Sequence, residues 1–247
     1  MRIALIADVH GNREAFDAVL DALARESVDR IVLLGDLVGY GADPAYCLDR
    51  AAELVAHGAL AVMGNHDAAA LSGEAGGFND YARAAILWTR GTLETRHRAF
   101  LDALPMTLVD GERLYVHASP AEPGSWGYVA DAAAAERAFA AVPQRVILCG
   151  HHHRPAIYSQ SPDQAALGFA PATDAPIPLL ARRRWLAVIG ACGQPRDENP
   201  AAPYAILDEG TRSLCLRRAP YDIESAARKI QAAGLPQMLA ARLFVGR

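Results

Sequence analysis

Within its first 66 residues the chain repeats one unit three times: a short apolar run ending in a polar loop, with a helix-like segment after each of the first two. Arg2 to Ala7 reads as a buried strand, and Phe16, Val19, Leu20 and Leu23 then recur at the spacing of one helix face. Ile31 to Leu34 gives a second buried strand. Pro44 can open a helix running to about Ala56 and stopping near Gly58, and Ala59 to Met63 is a third apolar run. Strands joined through helices pair in parallel, so this βαβαβ run predicts an α/β fold with a largely parallel central sheet.

The rest of the chain continues the pattern with more hairpins. Ala68 to Phe78, rich in Ala and Gly, is expected to be a mobile loop over a site, and Tyr81 to about Leu104 one or two helices ended by Pro105. Thr107–Val109 and Arg113–Val116 flank Asp110-Gly111 as a hairpin that delivers His117. Ala132 to Ala141 reads as helix, and Arg145–Cys149 and Trp185–Ile189 as strands. The five prolines between 155 and 180 point to loop and short edge strands. Ala205–Leu207 and Ser213–Leu216 form a second hairpin, followed by a helical tail from Glu224 to about Leu243 with a break at Pro236. With 247 residues, 52% of them hydrophobic, one large core is affordable. The expectation is a single domain over 1–247, its C-terminal hairpin and tail at about 203–247.

Several functional classes are disfavoured. A net charge of −4 without a long basic run argues against stable nucleic-acid or anionic-membrane binding. Arg182, Arg183 and Arg184 are too short a cluster to change that and read as a solvated strand entrance. Cys47, Cys149, Cys192 and Cys215 lack CxxC spacing, which fits reduced thiols in a cytoplasmic protein. No stretch near Met1 has the length of a signal sequence or membrane span, so no export is expected.

Ligand-type residues gather at five strand ends: Asp8 with His10, Asp36, Asn65 with His66, His117, and His151 with His153. In extended chain, residues i and i+2 face one side, so Asp8 can join His10 and His151 can join His153 while His152 turns away. Carboxylate and imidazole donors suit Mn, Fe, Co, Ni or Zn, and Asp36, alone at its strand end, suits a bridge between two ions. Singly, Asp8 or Asp36 can cap a helix and His117 can sit in a core; jointly, the seven other than His66 favour metal. Asn12 reads either as a donor to a phosphate oxygen or as a turn former after Gly11. His57 and His97, in charged helical segments, read as surface residues; Trp126, Tyr40 and Tyr81 either line a cleft or anchor packing.

These segments form, in order, a DxH (Asp8, His10), a GD (Gly35, Asp36), a GNHD (Gly64 to Asp67), an isolated His117 and a GHxH (Gly150, His151, His153). The whole resembles the calcineurin-like metallophosphoesterase superfamily. His117 with Ser119 and Pro120, and Gly193, Gln194, Pro195, Arg196 and Asp197, are similar to its stand-alone bacterial and archaeal branch. The resemblance implies a four-layer αββα sandwich, two mixed β-sheets flanked by helices, and two divalent ions, with manganese favoured. It assigns Asp8, His10, Asp36 and His153 to one ion and Asp36, Asn65, His117 and His151 to the other. It implies a small phosphate-ester substrate, attack by a metal-bridging hydroxide, and His66 as the acid that protonates the leaving oxygen. One departure stands out. Where the protein phosphatases and symmetrical dinucleoside tetraphosphatases carry a phosphate-gripping arginine after GD, and many of them an aspartate behind the acid histidine, this chain has Leu37, Val38, Gly39, Tyr40 and Gly41. Unless Asp43 reaches back, His66 lacks that support. The missing cation points towards phosphodiesters; a nucleotide or dinucleoside polyphosphate substrate is the alternative, and a catalytically silent protein-binding scaffold the alternative from another class.

Overall fold

The first strand, β1 (Arg2–Ile6), has no solvent face: Ile3 and Leu5 pack on one side, Ala4 and Ile6 on the other. Such a strand must lie between two layers. The computed structural model describes residues 1–247. After β1 come α1 (Arg13–Ala24), β2 (Arg30–Leu33), α2 (Pro44–Ala56), β3 (Leu60–Ala61), α3 (Asn65–Ser72), α4 (Asp80–Thr92) and α5 (Thr95–Asp102). The middle of the chain holds β4 (Thr107–Asp110), β5 (Arg113–Val116), α6 (Ala132–Ala141), β6 (Val146–Cys149), β7 (Ala156–Gln160), β8 (Leu167–Phe169) and β9 (Ile177–Pro178). It ends with β10 (Arg184–Val188), β11 (Ala202–Asp208), β12 (Ser213–Ala219), α7 (Ile223–Ala232) and α8 (Gln237–Ala241).

Two six-stranded sheets result, in the orders β3-β2-β1-β11-β12-β9 and β4-β5-β6-β10-β7-β8. Ile3, Leu5, Val32 and Leu34 of the first sheet meet Tyr115, Leu148, Ile157 and Trp185 of the second in the core between them. Outside the first sheet, Ala4, Ile6 and Leu33 pack on Phe16, Val19 and Leu23 of α1 and on Cys47, Leu48 and Ala51 of α2. Outside the second, Leu114, Ile147 and Leu186 pack on Ala134, Ala135, Ala138 and Phe139 of α6. This is the αββα sandwich, and no helix is long and apolar enough to cross a membrane.

Several expectations need correction. The sheets are mixed, as the resemblance implies, and not largely parallel as the βαβαβ run predicts: only β3-β2-β1 and β5-β6-β10 run parallel, and β11 returns antiparallel to β1, pairing Ile3 with Leu207 and Leu5 with Ala205. The C-terminal hairpin is thereby central to the first sheet. Residues 68–78 are not all loop, since α3 continues from Asn65 to Ser72 and stops at Gly73, whose φ of +82° ends the helix. Its alanines are strong helix formers, and the glycines beyond them misled the reading. His97 is buried at the start of α5, bonded to the Glu94 amide (3.1 Å) and Asp49 (3.1 Å), whereas His57 is exposed. Arg184 is half-buried, its guanidinium bonded to the carbonyls of Phe139, Val142 and Gln144 behind α6.

Candidate metal centre

The loops that leave β1, β2, β3, β5, β6 and β10 gather at one end of the sandwich and are tied to each other by backbone. The amides of Asp8, His10 and Gly11 donate to the carbonyls of Gly35, Asp36 and Leu37, and those of Cys192 and Gly193 to Ala7 and Asp8. Asp67 joins the GD and GNHD loops, its buried carboxylate accepting from the amides of Val38 (3.1 Å) and Gly64 (3.0 Å). Close approach explains two glycines here. A β-carbon on Gly64 would overlap Asp36, and one on Gly39 would overlap the ring of His66.

The loops do not present their side chains by strand alternation. Asp8, His10, Asp36, His151 and His153 all take left-handed backbone, with φ between 52° and 67°. Asp and His tolerate this region better than most residues, yet each such position costs about 1–3 kcal/mol that its surroundings must hold in place. The i and i+2 pairs converge because both members turn left-handed, not because the chain is extended.

Four histidines share one arrangement. His10 Nδ1 donates to the carbonyl of Val38 (3.1 Å), His153 Nδ1 to Gln194 (2.8 Å), His117 Nδ1 to Leu34 (2.8 Å), and His151 Nε2 to Trp126 (2.9 Å). A neutral imidazole that donates from one nitrogen has a bare lone pair on the other. Those lone pairs meet. His10 Nε2 and His153 Nε2 are 3.0 Å apart, and His117 Nε2 lies 3.2 Å from His151 Nδ1 and 3.0 Å from Asn65 Oδ1. Asp8 Oδ1 lies 3.4 Å from His153 Nε2, on the side of the first pair. Asp36 joins the two groups: Oδ1 accepts from the His66 amide (2.8 Å), while the buried Oδ2 lies 3.7 Å from His10 Nε2 and 3.3 Å from His117 Nε2. At the first group acceptors face acceptors, which is unfavourable without a positive charge among them; at the second, a proton on His117 supplies that charge when no cation does. The donor set of Asp8, His10 and His153 on one side and Asp36, His117 and His151 on the other suits divalent cations.

The electrostatics agree. Burial holds His10 and His153 well below the usual imidazole range, and burial with the neighbouring His117 brings His151 to about 4, so these three are neutral donors at neutral pH. Burial disfavours a charge on His117 too, but Asp36 and Asp8 outweigh it and raise its pKa to about 9. Burial would lift Asp36, yet His117, His66 and His10 hold its carboxyl well below the usual range.

Not every residue singled out in the sequence lies in the cleft. Asn12 is corrected: its Oδ1 accepts from the Ala15 amide (3.1 Å) to cap α1 and its Nδ2 donates to Gly193 O (2.9 Å), so it fastens two loops. Asp43 does not reach His66, being held by Lys229 of α7 (2.7 Å). His152 joins neither donor group, and Tyr81 is 48% exposed and does not line the cleft. The cleft itself, about 350 Å³, is lined by Asp36, Asn65, His66, His151 and His153, by the aromatics Tyr40, Phe78, Trp126 and Tyr128, and by Arg196. Tyr128 stacks on His151 with ring centres 4.2 Å apart. A larger hollow between α1 and α2, lined by Asp17, Asp21, Asp49 and Glu53, has no converging donors. Sequence reasoning missed Arg196 as a cleft residue. The available signal was its position in a polar segment just beyond the strand Arg184–Val188, the same placement as the other site residues.

Comparison with known proteins gives a consistent picture. Residues 1–212 match the profile of the calcineurin-like phosphoesterase superfamily domain. An uncharacterized protein of Methanocaldococcus jannaschii is 35% identical over 259 aligned positions, covering 99% of this chain and 98% of its own. A metallophosphoesterase from Sphaerobacter thermophilus superposes with a TM-score of 0.87 at 35% identity, covering 100% of both chains. A hypothetical protein from Pyrococcus horikoshii shares the fold, with a TM-score of 0.80 at 19% identity, covering 100% of this chain and 98% of its own.

Proposed function

Since the chain belongs to the calcineurin-like phosphoesterase superfamily, we propose that it hydrolyses small phosphoric esters with two divalent cations and with His66 as general acid. Asp8, His10, Asp36 and His153 would hold one cation, and Asp36, Asn65, His117 and His151 would hold the other. The supporting observation is the convergence of ligand-type atoms at the two groups, 3.0 Å between His10 Nε2 and His153 Nε2 and 3.2 Å between His117 Nε2 and His151 Nδ1. Mixed nitrogen and oxygen donors without thiolate suit Mn²⁺, Fe, Zn, Ni or Co, and membership of the family favours Mn²⁺ among them. Bound there, such cations supply Lewis acidity to the phosphoryl group and a nucleophile at neutral pH.

The protein's own part is positioning and proton transfer. His66 is 3% exposed, in contact with Tyr40 (ring centres 4.5 Å apart) and Phe78 (5.0 Å), and it lines the cleft beside Asp36. Burial lowers its pKa while Asp36 raises it, and no carboxylate stands behind its Nδ1. The negative charge of a bound phosphate supplies what that missing carboxylate would, favouring the imidazolium that protonates the departing alkoxide. The aromatic lining favours a nucleotide among the esters, since a base can stack on Phe78, Trp126 or Tyr128. The phosphodiester preference rested on a cleft without a fixed cation, and Arg196 removes that premise.

Metal analysis and turnover on one preparation test the reading. The expected result is two equivalents of metal per chain, ester hydrolysis abolished by chelation, and recovery with Mn²⁺. Turnover that survives complete metal removal would reject it.

A further inference from the structure

Arg196 is the only arginine or lysine lining the cleft, and it comes from the loop after β10 rather than from the segment after Asp36. Its Nη2 donates to Gln194 Oε1 (2.8 Å) and to the Tyr40 hydroxyl (3.3 Å), and the guanidinium carbon lies 5.7 Å from the centre of the Tyr40 ring. Those two bonds use one terminal nitrogen. Nε is buried without an acceptor, and Nη1 has none in the protein. The adjacent carboxylate, Asp197, is taken by Arg218.

A second guanidinium stands behind the first. Arg242, from the turn Arg242–Phe244 near the C-terminus, donates its Nη1 to the same Gln194 oxygen at 3.2 Å. Arg196 has no carboxylate within ion-pair reach, whereas Arg242 also donates its Nε to the main-chain oxygen of Arg247; the two guanidinium groups share one neutral, buried amide oxygen. That arrangement is repulsive by itself, and a bound anion relieves it. Arg196 keeps the two hydrogens of Nη1 free to donate to phosphate oxygens.

We propose that Arg196 clamps the substrate's phosphoryl group and directs the site towards esters ending in a dianionic phosphate, phosphomonoesters and nucleotide termini, over monoanionic diesters. The inference rests on the ester-hydrolase reading above and refines its substrate class. A monoester carries a third unesterified oxygen where a diester carries an alkyl or aryl group, and that oxygen has use for a guanidinium. Gln194 and Tyr40 are the positioning residues, and Arg242 adds to the field.

The test compares Arg196→Gln, Arg196→Lys and Tyr40→Phe with the wild type in Mn²⁺, using a chromogenic monoester and a diester with the same leaving group. Binding of inorganic phosphate to the metal-loaded proteins is measured by calorimetry, and metal content and melting temperature on the same samples. For Arg196→Gln, kcat/KM on the monoester should fall about 10²- to 10³-fold, the usual loss for a donor to transition-state charge. On the diester it should change less than about tenfold, and phosphate affinity should drop at least about tenfold, with metal retained. Arg196→Lys should recover part of the monoester activity, and Tyr40→Phe should lose less than either. An unchanged ratio of monoester to diester turnover, or unchanged phosphate binding, overturns the role of Arg196. Absence of metal-dependent turnover on both esters in the wild type instead rejects the hydrolase reading itself.

Discussion

His66→Ala should separate proton transfer from metal binding. The link from residue 66 to the donor groups is its backbone amide, which donates to Asp36 Oδ1 at 2.8 Å and which alanine keeps. Nδ1 of the ring has no partner, so removing the ring orphans no polar atom, and what is lost is packing against Tyr40, His10 and Phe78. Stability should therefore fall by about 1–2 kcal/mol, or roughly 2–8 °C in melting temperature for a chain of this size. General acid catalysis contributes about 10²- to 10⁴-fold, or roughly 2.7–5.4 kcal/mol of barrier. That contribution is needed only where the leaving oxygen is basic. The assay compares the variant with the wild type on an alkyl ester and on an aryl ester whose phenolate leaves without a proton, with metal measured on each sample. The alkyl ester should lose the full factor and the aryl ester little, at unchanged metal content. Equal losses on both esters, or loss of metal, would refute the assignment and place His66 among the ligands, where its nearness to His10 and Asp36 would also allow it.

Three further outcomes follow from the same geometry. Asp36→Asn keeps the oxygen that accepts from the His66 amide but replaces Oδ2 by an amide, and should lose metal and activity together; two retained equivalents of metal would show that Asp36 is no bridge. In the metal-free protein His117 holds a proton up to a pKa of about 9, and a cation must displace it. Metal affinity should therefore rise with pH, about tenfold per unit for one displaced proton, and flatten above that pKa; titration calorimetry in buffers of different ionisation enthalpy reads the released proton directly. Asn12→Ala removes a helix cap and the tie to Gly193, and should cost about 1–3 kcal/mol in denaturant unfolding with little change in kcat; a stable variant with a hundredfold lower kcat/KM would restore Asn12 as a phosphate donor.

What the sequence determined on its own is what local sterics and composition write into a few consecutive residues. The apolar runs of β1, β2, β6 and β10, the helical spacing of Phe16 to Leu23, the stop at Pro105 and the Asp110-Gly111 turn are of this kind. So are the chemical types and order of the proposed ligand residues, because carboxylates and imidazoles suit a divalent cation whatever path the chain takes between them. Tertiary structure decided the rest, because it depends on partners far away along the chain. Nothing near Ile3 announces that it will pair with Leu207, or near Asn12 that both its polar atoms will be used by Ala15 and Gly193. His97 looked like surface until α5 folded it against Asp49. Left-handed backbone at Asp8, His10, Asp36, His151 and His153 is a strained state that only the packed loops can hold, so no local pattern could display it. Arg196 enters the cleft because Gln194 and Tyr40, 2 and 156 residues away, fix its guanidinium there, and a convergence of that span is a property of the folded chain alone.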